Sequence, residues 1–177
     1  MMTEEYLIQL AKEAGFSHAV KLDPTTLLPQ QEVRDMCSNG CNRYATRWSC
    51  PPGCGTLEQC RQRLLSCQQG ILVQTVGELE DEFDGEGMMR TQSIHNSHFN
   101  ALVRQLRSSI PALLPLGAGC CGICTNCTYP EKPCRFPEQQ ISSMEAYGLL
   151  VQQICKANGL SYYYGSGTIA YCSCILW

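Results

Sequence analysis

A chain of 177 residues can bury a hydrophobic core without covalent staples, and its simplest reading is a single domain over residues 1–177. The formal net charge of −3 leaves no basic footprint for nucleic acid. No apolar run approaches the ~18 residues of a membrane span, and MMTEEYLIQLAKEAGF lacks the marks of a secretory signal, so a cytoplasmic protein is expected.

Thr3 is placed to cap a helix over about residues 4–14, with Tyr6, Leu7, Leu10 and Ala11 on one face and Gly15 as its stop. SHAVKLDP reads as a short strand. Residues 24–55 hold turn-formers and cysteines with little periodicity, which predicts an irregular loop. Thr56 and Gln59 have the spacing of a capping box for a helix through about Cys67. Gly70 precedes ILVQTV, whose continuous apolar character suits a buried strand. ELEDEFDGEGM is an acidic connector, and most of residues 88–108 is expected to be helical, ending before Pro111.

ALLPLGAG leads into a second cysteine loop that runs to about Pro137. Ser142 and Glu145 repeat the capping-box spacing, and MEAYGLLVQQICKAN reads as a helix stopped by Gly159. SYYYG and TIAYCSCILW are expected as two closing strands, hairpinned around Gly165-Ser166-Gly167. Together these elements predict an α/β fold, with α+β as the alternative: a mixed sheet, flanking helices and two cysteine-rich metal-binding loops. Bound metal would explain how such long loops hold a shape.

The chain carries 14 cysteines, and in a reducing compartment so many thiols point to metal or redox chemistry rather than disulfides. Cys121, Cys124, Cys127 and Cys134 form a C-x2-C-x2-C-x6-C run. Compact triple runs closed by a distant fourth cysteine are how ferredoxin-type loops hold iron–sulfur clusters, although the last spacing is wider here. Zinc sites with four thiolates more often pair two separated knuckles, so zinc is the weaker alternative. Gly117, Gly119 and Gly122 would let backbone N–H groups approach the sulfides of a cluster. The first set is Cys37, Cys41 and Cys50, with Cys54 and Cys60 both offering a fourth thiolate. Its spacing indicates a metal without identifying which.

The segments VRDMCSNGCNRYATRWSCPP, GTLEQC, ILVQTVGELEDEFDGEGM, LGAGCCGICTNCTYPEKPCRFPE and SMEAYGLLV resemble, in order, a family of predicted metal-binding proteins carried as a domain of unknown function. The resemblance covers nearly the whole chain and implies metal binding, in iron–sulfur form, without an assigned reaction. By position it implies Cys37, Cys41 and Cys50 as metal residues of the first set, with Cys60 preferred over Cys54 as fourth, and Cys121, Cys124, Cys127 and Cys134 as the second. Cys120 stands where the family often has proline and is expected to be a bystander.

The remaining polar residues read more simply. Cys67 and Cys155 suit core positions, and Cys172 with Cys174 would pack on one strand face, a redox pair being the sharper reading. His95 and His98 lack the carboxylate or thiolate company of a metal site, and the acids from Glu78 to Glu86 suit a solvated loop. Trp48 and Tyr44 would either shield a cluster or pack in the core, and Arg135 would raise a cluster's potential or pair at the surface. No dinucleotide fingerprint is present, since GAGCCG runs into a cysteine loop. The leading expectation is therefore a protein with two 4Fe–4S clusters that exchanges electrons with a partner redox enzyme. The alternatives are an enzyme acting on a small molecule at an open iron, with Tyr162, Tyr163, Tyr164 or His95 lining a pocket, and a zinc-stabilised binding module.

Overall fold

The computed structural model describes residues 3–177. Helix α1 (Glu4–Glu13) starts as its cap predicts, with the Thr3 hydroxyl accepting from the Tyr6 N–H at 3.3 Å. It leads into β1 (His18–Lys21), which lies antiparallel to β2 (Gly70–Glu78) at one edge of a five-stranded sheet. The central pairing joins β2 to β5 (Thr168–Leu176) over the whole length of both, from Gly70 opposite Leu176 to Glu78 opposite Thr168. Next to β5 lies β3 (Leu114–Gly117), antiparallel, and then β4 (Ser142–Ser143), parallel to β3. The order β1-β2-β5-β3-β4 makes the sheet mixed, as expected.

Both faces of this sheet are covered, which is why β2 reads as an unbroken apolar run. Ile71, Val73 and Ile175 face α1 and α4 (Gly85–Arg107), meeting Leu7, Phe99 and Leu102. Leu72, Cys174 and Leu176 point the other way, toward Leu64 of α3 (Leu57–Leu65) and Ile154 of α5 (Val151–Ala157). The capping box at Thr56 and Gln59 forms with both of its bonds, at 3.2 and 2.8 Å.

Four local expectations are corrected. Residues Gln31–Gly40, expected within an irregular loop, form helix α2. Only Val33 of its ten residues is buried, so no apolar stripe announces it. Tertiary bonds hold it instead: Arg34 Nε donates to the Ala146 carbonyl and its Nη2 to the Gly55 carbonyl, both at 2.6 Å. Helix α4 begins inside the acidic connector, where the Asp84 carboxylate accepts from the Gly87 N–H at 2.8 Å.

The helix expected over residues 144–158 is broken in two. A single 3-10 turn (Glu145–Tyr147) ends at Gly148, whose φ of 75° is left-handed, and α5 starts only at Val151. Ser142 lies on β4 rather than capping a helix, while the Ser143 hydroxyl accepts from the Ala146 N–H at 3.0 Å. SYYYG forms no strand, although β3 covers only Cys174–Leu176 on one edge of β5. Tyr164 instead turns inward to donate its hydroxyl to Gln74 Oε1 at 2.6 Å. Among the described residues, no helix is long and apolar enough to cross a membrane.

Candidate metal centre

Helix α2 ends by presenting Cys37 and, four residues on, Cys41, an interval that puts both thiols on one side of the chain. The strand β3 ends at Gly117, and Gly119, at a φ of 104°, turns the chain so that Cys120 follows. Cys37, Cys41, Cys50 and Cys120 together line one cavity of about 570 Å³, whose opposite wall carries Tyr162, Tyr171 and Cys172. Glu145 stands at this cavity too; it is reachable by water but ringed by enough protein that desolvation raises its carboxyl pKa.

Cys50 and Cys120 are neighbours on this cavity's wall. Cys50 first, then the charges of Arg47 and Arg43, hold Cys120 below its ordinary thiol value, while the same neighbour and burial raise Cys50. Burial raises Cys37, with the neighbouring Cys41 adding to the effect.

Cys121, Cys124, Cys127 and Cys134, all partly buried, line a second, much narrower cavity of about 20 Å³. Side-chain bonds to the first loop fix this one. The Ser49 hydroxyl accepts from the Cys121 N–H at 3.1 Å, Trp48 Nε1 donates to the Lys132 carbonyl at 3.0 Å, and Gln140 Nε2 donates to the Trp48 carbonyl at 3.1 Å. Arg135 bonds within its own loop, Nη1 donating to the Asn126 carbonyl at 2.8 Å. Trp48 also meets Tyr129 edge-on, ring centroids 4.9 Å apart.

Arg47 reaches across to this cavity, its Nη1 donating to the carbonyls of Cys121 at 3.2 Å and Cys124 at 3.5 Å. Its Nε is buried and has no hydrogen-bond partner. An unpaired buried guanidinium nitrogen is costly, and an anionic group held by the four thiols beside it would satisfy it. No three His, Cys, Asp or Glu side chains among the described residues converge closely enough to hold one metal ion.

Cys60 and Cys54 lie elsewhere. Both are buried in the core under α3, and neither lines the cavity of Cys37, Cys41 and Cys50. Arg34 Nη2 sits 3.4 Å from Cys54 Sγ and 3.5 Å from Cys60 Sγ. The bond from Cys54, then Arg34 and Arg63, lowers Cys60 to about 6. Thus the thiol that joins Cys37, Cys41 and Cys50 from the second loop is Cys120, with Cys172 on the sheet side of the same cavity. The CC doublet was the available signal for Cys120, while Arg34, Arg47 and Ser49 had none.

Cys67, Cys155, Cys172 and Cys174 are buried in one core, and Cys172 also reaches the wall of the wide cavity. His95 is fully buried between α4 and the sheet, bonded to Thr75 Oγ1 at 2.9 Å and Ser173 Oγ at 2.7 Å. The acids from Glu78 to Glu86, expected in a solvated loop, are only partly so: Glu78 ends β2, Asp84 caps α4 and Glu86 lies in the first turn of α4.

The family model of predicted metal-binding proteins (DUF2284) matches residues 20–177. No curated protein and no solved structure matches the chain. Over nearly its full length the chain belongs to this family of predicted metal-binding proteins.

Proposed function

We propose that the chain is an iron–sulfur protein that holds two 4Fe–4S clusters and passes electrons to or from a partner redox protein. The observation that carries this reading is the grouping of the loop thiols, four of them at each of two cavities that meet where Ser49 adjoins Cys50 and Cys120 adjoins Cys121. Cys37, Cys41, Cys50 and Cys120 would hold the first cluster, with Cys120 taking the place that the sequence offers to Cys60 or Cys54. Cys121, Cys124, Cys127 and Cys134 would hold the second. When bound, such clusters supply one-electron transfer at thiolate-ligated iron.

A C-x2-C-x2-C run closed by one distant cysteine suits a multi-iron group better than one tetrahedral zinc, which more often pairs two separated knuckles. The second loop has to widen to take its cluster, and a segment built from turns can do so without breaking a helix or strand. Arg47 neutralises charge at that site, while Arg43 and Arg47 favour the thiolate of Cys120 at the other. With four thiols at each cavity no iron position need stay open, which favours an electron carrier over Lewis-acid chemistry at iron.

The test is to measure iron, acid-labile sulfide and zinc per chain on protein purified without oxygen, alongside its visible spectrum. About eight irons and eight sulfides, with colour bleached by dithionite, are expected. About two zincs and no sulfide would overturn the reading in favour of a zinc-stabilised module.

A further inference from the structure

The core beneath α5 contains a thiol contact that neither cysteine loop supplies. Cys155 on α5 and Cys172 on β5 bring their Sγ atoms to 3.6 Å. Their residues are 0% and 4% exposed, yet Cys172 also lines the large cavity and Cys155 does not. Gln74, fully buried on β2, donates Nε2 to Cys172 Sγ at 3.3 Å and to the Ser161 carbonyl at 2.9 Å. Tyr164 holds the other end of the same amide.

Burying a glutamine in an apolar core is costly, and simple packing around position 172 would not require one. Its amide orients a sulfur and offers it a hydrogen bond, as an ionised or reacting thiol needs. Cys174, two residues on and on the same strand face, makes no such contact among the described residues. Hydrogen bonding within the pair lowers Cys155 and raises Cys172, so the two share a proton.

We propose that Cys155 and Cys172 are a redox-active dithiol that reduces a small disulfide entering the large cavity. In the singly deprotonated pair the shared proton passes from Cys172 to Cys155. The freed Cys172 Sγ, which alone faces the cavity, attacks one sulfur of R–S–S–R to form a Cys172–S–S–R mixed disulfide. The first RS⁻ leaves and takes a proton from water. Cys155 Sγ then attacks Cys172 Sγ, and the second RS⁻ departs with the proton from Cys155. The substrate disulfide is reduced to two thiols, and the two cysteines are oxidised to one disulfide. Closing the pair shortens the contact to the ~2.05 Å of an S–S bond, a shift within reach of small side-chain rotations. Cys172 is the attacking residue because it faces the cavity, and Cys155, sealed behind it, resolves. Gln74 is a positioning residue. The proposal stands on this pair and does not rest on the cluster reading. A group held by Cys37, Cys41, Cys50 and Cys120 would share the cavity with the entering disulfide, so the probe is applied both to protein as isolated and to protein stripped of metal.

The probe is cystamine, added to protein isolated without oxygen, once carrying whatever metal it holds and once stripped of it. After quenching and alkylation, trypsin releases Cys155 in peptide 136–156 and Cys172 with Cys174 in peptide 157–177. The expected result is that these two peptides are recovered joined and two hydrogens lighter than their sum, and remain joined in Cys174→Ser. In Cys155→Ser, a cysteamine adduct accumulates on peptide 157–177, whereas in Cys172→Ser none forms on peptide 136–156. Gln74→Leu slows the joining at least tenfold. Free, fully alkylated peptides from the wild type in both forms overturn the proposal, as does a cross-link that persists in Cys172→Ser. Metal content is read separately, so a failed cluster reading leaves this result standing and the reverse also holds.

Discussion

Cys120 and Cys121 are joined by one peptide bond and line different cavities. Ser49 and Cys50 repeat the arrangement from the opposing loop, Ser49 at the narrow cavity and Cys50 at the wide one. Consecutive Cα atoms are ~3.8 Å apart, so two groups held at these sites would be neighbours through a few covalent bonds. That proximity is what a two-cluster carrier requires. It also separates the roles of the fourth-ligand candidates experimentally.

Replacing Cys120 by serine should lower bound iron by about half, from about eight to about four per chain, while the second site stays loaded. Replacing Cys60 by alanine should leave iron unchanged and reduce stability by about 1–3 kcal/mol, because it empties a fully buried site beside Arg34. Metal analysis and urea unfolding of both variants distinguish the two. Iron loss in the Cys60 variant with none in the Cys120 variant would reassign the ligand.

Arg47 places a buried positive charge against the carbonyls of Cys121 and Cys124. A cation beside an iron–sulfur site favours its reduced, more negative form. Arg47→Gln should therefore lower both reduction potentials, the couple of the second site by the larger amount, on the order of tens of millivolts, and that of the Cys120 site by less. Redox titration followed by the visible spectrum checks this. Equal shifts in both couples would place the charge between the sites rather than at the second.

His95 ties stability to pH. Burial lowers its pKa from 6.5 to about 4, so the ring stays neutral in the folded chain while the unfolded chain takes a proton. Its contribution is fully present above pH ~6.5 and is lost as pH falls toward ~4, by up to roughly 3 kcal/mol. Urea unfolding midpoints at pH 7 and pH 4.5 should therefore differ more in the wild type than in His95→Gln. Identical pH dependence in the two proteins would show that the ring is protonated in the folded core.

Where sequence and structure agree, the cause is local. Thr3 and Thr56 announce their helices because a hydroxyl accepts a hydrogen bond from an N–H only three residues away. The run Cys121-Cys124-Cys127-Cys134 is legible because a short loop keeps near neighbours together. Where they differ, the deciding contact is distant in sequence. Helix α2 depends on Arg34 bonding to residues 55 and 146, and Cys120 joins Cys50 across 70 residues. The partner of Cys172 is likewise Cys155 on another element, not Cys174 beside it. Periodicity cannot see such pairings, and only the spatial arrangement assigns each thiol its company.

Gly148 shows how one residue defeats a helical pattern, and it yields the last prediction. Its φ of 75° disfavours any side chain, and a Cβ there would stand 2.9 Å from the Gln30 carbonyl oxygen and 2.6 Å from Leu57 Cδ1. Gly159 has nearly the same φ, 71°, but a Cβ there meets nothing within 4 Å. The two sites share the backbone strain and differ in the clash. Gly159→Ala should cost about 1 kcal/mol and Gly148→Ala about 2–4 kcal/mol, measured by urea unfolding. The larger effect should extend to metal binding, since the Gly148 carbonyl accepts from the Gln30 N–H and the adjoining turn carries the Ala146 carbonyl that tethers Arg34. Helix α2 then loses the contacts that hold Cys37 and Cys41 at the cavity. Equal costs for the two substitutions would mean that the turn yields to the clash and that Gly148 is there for its φ alone.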